Sequence, residues 1–234
     1  MLVKRFALRT AVEFILVVGM LIALMLLAAA LGGRKNGEDS AVIAEKDHVV
    51  VIDAGHGGMD GGAVGADGTL EKQINLEIAQ TLSQLLTVSG YKTVMTRTED
   101  TMLQTDDGEG SAKMQDLKQR LAIASKYPES LMVSIHCNKF SLESCKGMQV
   151  YYSDSEAAKK AAQEIQNASV LLQPYNKREI KKSDYSIYLL NRAKSPSVLV
   201  ECGFLSNSEE LSNLKDAEYQ KKLALVIFKG ITEQ

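Results

Sequence analysis

The stretch that decides the fold class is VVIDAGHGGMDGG, residues 50–62, in which a short apolar run passes directly into a glycine-rich segment carrying His56. A second stretch, LMVSIHCN at residues 131–138, has the same form and places His136 at its end. The chain has three histidines in all, so two of them at the ends of apolar runs are informative. In open α/β sheets, ligands bind beyond the carboxyl ends of the strands. The two histidines are therefore predicted to lie at one edge of a sheet.

Short apolar runs alternate with longer amphipathic segments from residue 48 onward. The predicted strands are residues 48–54, 91–97, 131–136, 147–153, 186–190 and 197–202, and the predicted helices are residues 71–88, 114–125, 156–172 and 218–231. Apolar residues recur at helical spacing in the first of these helices: Ile74, Ile78, Leu82 and Leu85. This alternation predicts an α/β fold with helices on both faces of the sheet.

The first 33 residues form a separate segment. Residues 14–31 are an unbroken apolar run, close to the roughly 20 residues that cross a bilayer and longer than the roughly 7–15 of a secretory signal. Three basic residues precede it: Lys4, Arg5 and Arg9. We predict a transmembrane helix with the rest of the chain outside the cytoplasm, although the three alanines at 28–30 leave a cleaved signal open. Residues 34–47 are interpreted as a linker, and residues 48–234 as the catalytic domain.

The bulk composition argues against several classes of protein. A net charge of −2 gives no basic footprint for nucleic acid. The cysteines, Cys137, Cys145 and Cys202, show no CxxC spacing, which argues against a thiolate metal cluster. We interpret Cys137 and Cys202 as small buried hydrophobic residues, and a pairing between these two stays open.

Four residues together predict a catalytic zinc site. His56, Glu71 and His136 supply the nitrogen and oxygen ligands that zinc accepts, and a catalytic site leaves the fourth position to water. Glu201 ends a third apolar run, SVLVECGFLSN, where a buried carboxylate needs a specific reason. It is predicted to be the catalytic carboxylate that handles the proton of the attacking water.

Each of these residues also has a plainer interpretation. A histidine at a strand end is commonly an ordinary polar residue, and Glu71 would suit the first turn of any helix. Asp53 is either a group that orients a metal ligand or an acceptor that fixes the loop. The glycines also suggest a phosphate-binding loop, but the Lys-Ser/Thr of a P-loop is missing. Arg97 is a weaker candidate for binding a substrate carboxylate, with a structural ion pair as the alternative.

Residues 48–234 resemble the zinc-dependent N-acetylmuramoyl-L-alanine amidases of the Amidase_3 family. The resemblance rests on five segments in order: IDAGHGGMDGG with GAVG, LEKQINLEIA, VMTRTED, SIHCN and VLVECGFLSN. It implies a single three-layer α/β/α domain around a twisted, mostly parallel sheet of about six strands. It also implies that His56, Glu71 and His136 hold zinc, with Glu201 catalytic, and that the substrate is the amide joining N-acetylmuramic acid to L-alanine in peptidoglycan.

Other features make the resemblance more specific, to one type of enzyme within this family. The long loop after Arg97, the membrane segment and the lack of wall-binding repeats are similar to the sporulation-specific CwlD type, which acts on spore cortex and helps form muramic δ-lactam. Lys139 replaces the usual small residue after the third motif. The alternatives are a peptidoglycan-binding or regulatory module and a zinc peptidase of stem peptides. Because a permanently active wall hydrolase is hazardous, we also expect a regulatory protein partner.

Overall fold

The computed structural model describes residues 46–104 and 110–233. The predicted membrane segment at residues 1–33 and nearly all of the linker lie outside this part of the chain. Among the helices that are described, none combines the length and the apolar character needed to cross a bilayer.

The described residues form six strands and six helices. The strands are β1 (Lys46–Ala54), β2 (Tyr91–Met95), β3 (Leu131–Asn138), β4 (Gln149–Tyr152), β5 (Lys181–Lys182) and β6 (Ser197–Phe204). The helices are α1 (Glu71–Val88), α2 (Ala112–Ser125), α3 (Glu156–Ser169), α4 (Tyr188–Arg192), α5 (Ser208–Lys215) and α6 (Ala217–Thr232).

All six strands belong to one sheet with the order β2-β1-β3-β6-β4-β5. Strands β2, β1, β3 and β6 are parallel, whereas β4 runs antiparallel to β6 and pairs in parallel with β5. The three central parallel strands, β1, β3 and β6, therefore end at the same edge of the sheet, which is where sequence analysis places the site. The predicted mostly parallel sheet of about six strands is confirmed.

Helices cover both faces of the sheet, so the domain has three layers. The larger apolar core lies on the face covered by α1, α3 and α6, where it includes Ile52, Ile135 and Val200. The smaller core, on the opposite face, includes Val51 and Met132 together with apolar residues of α2 and α4. Because alternate side chains of a strand point to opposite faces, the strands are apolar on both sides.

One predicted strand is wrong. Residues 186–190 were predicted to be extended, but Tyr188–Arg192 form the short helix α4, and the edge strand is the exposed pair Lys181–Lys182. A short apolar run has the same composition in a buried helix as in a strand, and Leu189 and Leu190 are buried. The two exposed lysines of β5 carry no apolar signature, as is common for an edge strand.

Helix α5 was missed by the sequence analysis, although the sequence carries a signal for it. Asn207 precedes the helix, and its side chain accepts a hydrogen bond from the amide of Glu210. An Asn followed three residues later by Glu is typical of a helix N-terminus.

A close helix–helix contact in the core gives a test of this packing. Gly230 of α6 lies against Ile165 of α3, and a Cβ at position 230 would be 2.4 Å from the Ile165 Cα. Since that neighbour is backbone, Gly230→Ala should destabilise the protein by about 1–3 kcal/mol. Urea denaturation of the full chain measures this free energy. Leu225→Ala, at an exposed position of the same helix, should change the free energy of unfolding by less than about 0.5 kcal/mol. If Gly230→Ala were as stable as the native chain, this packing would be contradicted.

Candidate active site

The parallel strands bring the predicted site residues to one edge of the sheet. His136 of β3 and Glu201 of β6 are direct partners in the sheet register. His56 follows β1 by two residues, and Glu71 is the first residue of α1. All four predicted residues therefore converge, although they are up to 145 positions apart in the sequence, from 56 to 201.

Glu71 lies between the two histidines. Its Oε2 is 3.1 Å from His56 Nε2, and its Oε1 is 2.9 Å from His136 Nδ1. Burial alone would raise the pKa of Glu71, but the hydrogen bonds from both histidines outweigh it and hold this pKa far below the usual range. Burial likewise works against the charged form of His136, yet the bond to Glu71 raises its pKa. The three side chains form one cluster that is joined through the Glu71 carboxylate.

This cluster has the chemistry of a metal site. One ligand atom from each of His56, Glu71 and His136 lies within 4.8 Å of the others. Two imidazole nitrogens and one carboxylate oxygen are a common protein donor set of catalytic zinc, which keeps its remaining position open. The residues present therefore fit the metal that the sequence predicts.

The backbone around Glu71 fixes the position of its carboxylate. Oε1 accepts hydrogen bonds from the Cys137 amide and from Asn75 Nδ2, both at 3.0 Å. Oε2 accepts a bond of 2.7 Å from the Ala63 amide. Because neutral donors from three segments hold this carboxylate, its orientation does not depend on the histidines alone.

Asp60 is a site residue that the sequence analysis did not single out. Its Oδ2 is 3.0 Å from His56 Nδ1, the ring nitrogen that faces away from Glu71. A carboxylate on the second nitrogen fixes the tautomer and the ring orientation of a metal-binding histidine. The available signal was the acidic residue four positions after His56, between two pairs of glycines.

Two glycines are required at the site because side chains approach them closely. A Cβ on Gly55 would lie 2.3 Å from the His136 ring, and one on Gly62 would lie 2.5 Å from Glu71 Oε2. His56 itself has a φ of 61°, which is uncommon for a residue other than glycine. Such strained conformations persist only where the surroundings enforce them.

Asp53 and Arg120 together hold the backbone of His56 in this conformation. The Arg120 guanidinium bonds Asp53 Oδ1 at 2.7 Å, the Ala54 carbonyl at 2.6 Å and the His56 carbonyl at 2.6 Å. Burial would raise the pKa of Asp53, but the Arg120 charge and the Ser134 hydroxyl lower it to about 2. Of the two interpretations of Asp53, the structure favours the one in which it fixes the loop, and it does so through Arg120.

Arg97 is buried. Its guanidinium donates to the carbonyls of Ala54, Gly55, Lys72 and Glu99 at 2.8–3.1 Å. It therefore joins the end of β1 to the first turn of α1, and this structural use of its N–H groups argues against the candidate role in binding a substrate carboxylate.

Glu201 is a half-buried residue whose carboxylate has an enclosed oxygen. Its Oε2 is buried and has no hydrogen-bond partner within the described part of the chain. Burial raises the pKa of Glu201 to about 7, with the charge of Glu71 adding to the shift against the opposing effect of His136. A carboxylate with a pKa near the working pH is suited to take up and release a proton.

Cys137 and Cys202 follow His136 and Glu201 and point to the opposite face of the sheet. Both thiols are buried in the larger core. All three cysteines are free, so the pairing that the sequence left open is not formed. Burial raises the pKa of both core thiols, which keeps them protonated. Their interpretation as small hydrophobic residues is confirmed.

The three-layer fold, the His–Glu–His donor set and the neighbouring buried carboxylate together are typical of a metal-dependent hydrolase. Residues 50–233 match the Amidase_3 family, described as N-acetylmuramoyl-L-alanine amidase. The chain belongs to this family, and the predicted resemblance is confirmed. It is therefore a peptidoglycan amidase.

Individual relatives agree with this assignment. The germination-specific N-acetylmuramoyl-L-alanine amidase of Bacillus subtilis is 36% identical over 186 residues, which is 78% of each chain. The structure of the CwlD amidase from Clostridioides difficile in complex with the GerS lipoprotein has a TM-score of 0.76 and 38% identity, covering 80% of this chain and 98% of that one. The catalytic domain of CwlV from Bacillus (Paenibacillus) polymyxa has a TM-score of 0.68 and 32% identity, covering 80% and 97%.

The raised pKa of Glu201 predicts an unusual pH dependence of stability. In metal-free protein, the folded state keeps the Glu201 proton up to about pH 7, whereas the unfolded state loses it near the ordinary glutamate pKa of 4.5. Stability must therefore fall as the pH rises through this window, by up to about 3 kcal/mol. Glu201→Gln removes this loss, so the variant should be more stable than the native chain at pH 8.

Urea denaturation in the presence of a chelator measures this difference. At pH 4 the two proteins should be about equally stable, because Glu201 is protonated in both states of the native chain. A stability difference that does not change between pH 4 and pH 8 would contradict the role of burial.

Proposed function

We propose that this amidase depends on zinc, that His56, Glu71 and His136 hold the metal, and that Glu201 is the catalytic residue. The observation that carries the proposal is the convergence of the three donor atoms to within 4.8 Å of one another. The orphaned Oε2 of Glu201, on the strand position paired with His136, supports the catalytic assignment.

Each side chain of the site has a separate role in hydrolysis. Zinc, when bound, supplies Lewis acidity that polarises an amide carbonyl. Glu201 takes a proton from the attacking water and passes it to the nitrogen of L-alanine as the C–N bond breaks. Asp60 holds the His56 ring through Nδ1, and the donors around Glu71 keep its carboxylate in place. The lactyl carboxylate and the free amine of the stem peptide are the products.

Substitution of Glu201 should separate metal binding from catalysis. Glu201→Gln should lower kcat about 10²- to 10⁴-fold, the usual contribution of a general acid–base, while the protein still binds one zinc. His136→Ala should lose both zinc and activity. Metal analysis of the purified full chain and turnover of purified peptidoglycan measure the two properties. Normal turnover by Glu201→Gln would show that the catalytic assignment is wrong.

Mass spectrometry of the digested peptidoglycan distinguishes this function from the alternatives. Free stem peptides that begin at L-alanine identify the amidase, whereas shortened stems identify a zinc peptidase. The absence of products with zinc present would instead indicate a peptidoglycan-binding module. The complete set of site residues favours the amidase.

The similarity to a germination-specific amidase and to CwlD supports a place for this enzyme in spore cortex maturation, including formation of muramic δ-lactam. Since peptidoglycan lies outside the cytoplasm, the catalytic domain acts there. We propose that residues 1–33 anchor it to the membrane, which the apolar run at residues 14–31 supports.

A regulatory partner is part of this proposal. The similar CwlD amidase is known in complex with the GerS lipoprotein, and a partner that controls zinc loading or substrate access would keep an anchored hydrolase inactive until needed. Zinc content and activity of the purified full chain, with and without extract of sporulating cells, test this. Full zinc occupancy and full activity of the pure protein would remove the need for a partner.

A further inference from the structure

Arg178 lies in the segment between α3 and β5, and its guanidinium is held firmly in place. Nε donates to the Lys146 carbonyl at 2.8 Å, and Nη1 donates to Gln149 Oε1 at 3.0 Å. The guanidinium carbon lies 4.5 Å from the centre of the Phe204 ring, so the charged group stacks on an aromatic face. Because three contacts fix its orientation, little side-chain entropy is lost when it binds a further group.

The charge of Arg178 lacks a partner. Within the described residues, no carboxylate lies within ion-pair distance of it, and Nη2 makes no hydrogen bond. Burial raises the pKa of the Glu210 carboxyl, and the charge of Arg178 is one of the effects that oppose this rise. However, the two oxygens of Glu210 already accept bonds from the Gly147 and Phe204 amides and the Tyr175 hydroxyl. A fixed guanidinium with one free edge is suited to bind a carboxylate.

Arg178 lies close to Glu201, to which it is connected through Gln149. Gln149, which binds Arg178, is the direct antiparallel partner of Glu201, so the two side chains leave the sheet on the same face, with Cβ atoms about 5 Å apart. Tyr151 lies two residues along the same face of β4. The charges of Glu201 and Arg178 shift its pKa in opposite directions, which agrees with a location near both. Arg178 therefore lies one side chain away from Glu201.

We propose that Arg178 is a specificity-determining residue that binds a carboxylate of the stem peptide of the substrate. The inference rests on the proposed function, in which Glu201 marks the position of the cleaved amide. An extended peptide advances about 3.5 Å per residue, so the second stem residue reaches from Glu201 to the neighbourhood of Arg178. Arg178 thus takes the role for which Arg97 was a candidate from sequence, because Arg97 is enclosed by carbonyls whereas Arg178 has a free edge.

Two substrates test this: muramoyl dipeptides that differ only in whether the carboxylate of the second stem residue is free or amidated. The full chain with zinc should have a KM about tenfold lower for the free carboxylate, the size expected for a charge-assisted hydrogen bond that is partly exposed. Arg178→Gln should abolish this preference by raising the KM for the free carboxylate to that of the amidated substrate. Arg178→Lys, which keeps the charge without the planar fork, should retain part of the preference.

Arg192→Gln is the matched control. Arg192 also stacks on an aromatic ring, that of Tyr188 at 4.3 Å, but has no contact with Gln149 or Lys146, so its substitution should leave both KM values unchanged. Equal KM values for the two substrates in the native chain, or a full preference retained by Arg178→Gln, would overturn the proposal. The first of these outcomes requires no variant and does not depend on how any variant folds.

Calorimetry separates a failure of this inference from a failure of the proposed function. In the Glu201→Gln background the same substrates bind without being cleaved, and the free carboxylate should bind about tenfold more tightly only when Arg178 is present. If the native chain cleaves neither substrate, the amidase mechanism fails, whereas the calorimetric preference still decides whether Arg178 binds a carboxylate. Equal binding of the two substrates would overturn the Arg178 assignment.

Discussion

Asp53 and Arg120 form a buried charge pair beneath the catalytic edge of the sheet, and the geometry of the site depends on it. Arg120 uses this pair to approach the carbonyls of Ala54 and His56, which holds His56 in a left-handed conformation that a non-glycine residue rarely adopts. The sharp bend after β1 then turns the imidazole back toward Glu71. Arg120 also pairs with the buried Asp116 at 2.7 Å, so loss of Arg120 would leave two buried carboxylates without their cation. This interaction is therefore both structural and a condition for the donor set.

The two glutamates of the site have opposite environments, and this difference separates their roles. Glu71 is surrounded by donors from three segments and two histidines, so its carboxylate stays ionised and fixed, which suits the metal-binding role that we propose for it. Glu201 lies on the neighbouring strand with a buried oxygen that has no partner. Burial without compensation raises its pKa and makes it able to exchange a proton. This burial lowers the stability of the fold, and the residue concerned is the one that we propose as the catalytic carboxylate, Glu201.

Three arginines near the site have different roles, and the difference follows from how deeply each is buried. Arg97 donates to backbone carbonyls, whereas Arg120 donates to the carboxylates of Asp53 and Asp116 as well as to two carbonyls. Both shape the end of β1, whereas Arg178 is held from one side and has a free edge on the other. The first two are remote from solvent and organise the protein. Arg178 is only half-buried and binds Gln149, the strand partner of Glu201.

The sequence by itself determined the alternation of strands and helices and the four candidate site residues, through apolar runs that end in His56, His136 or Glu201 and a helix that begins at Glu71. The parallel centre of the sheet was implied by the resemblance to a known family. It did not determine helix α4, because a short apolar run is compatible with either a buried helix or a strand. Nor did it determine the tasks of Asp60, Arg97, Arg120 and Arg178. Their roles depend on which atoms lie within about 3 Å across distances of many residues, and only the tertiary structure sets those distances.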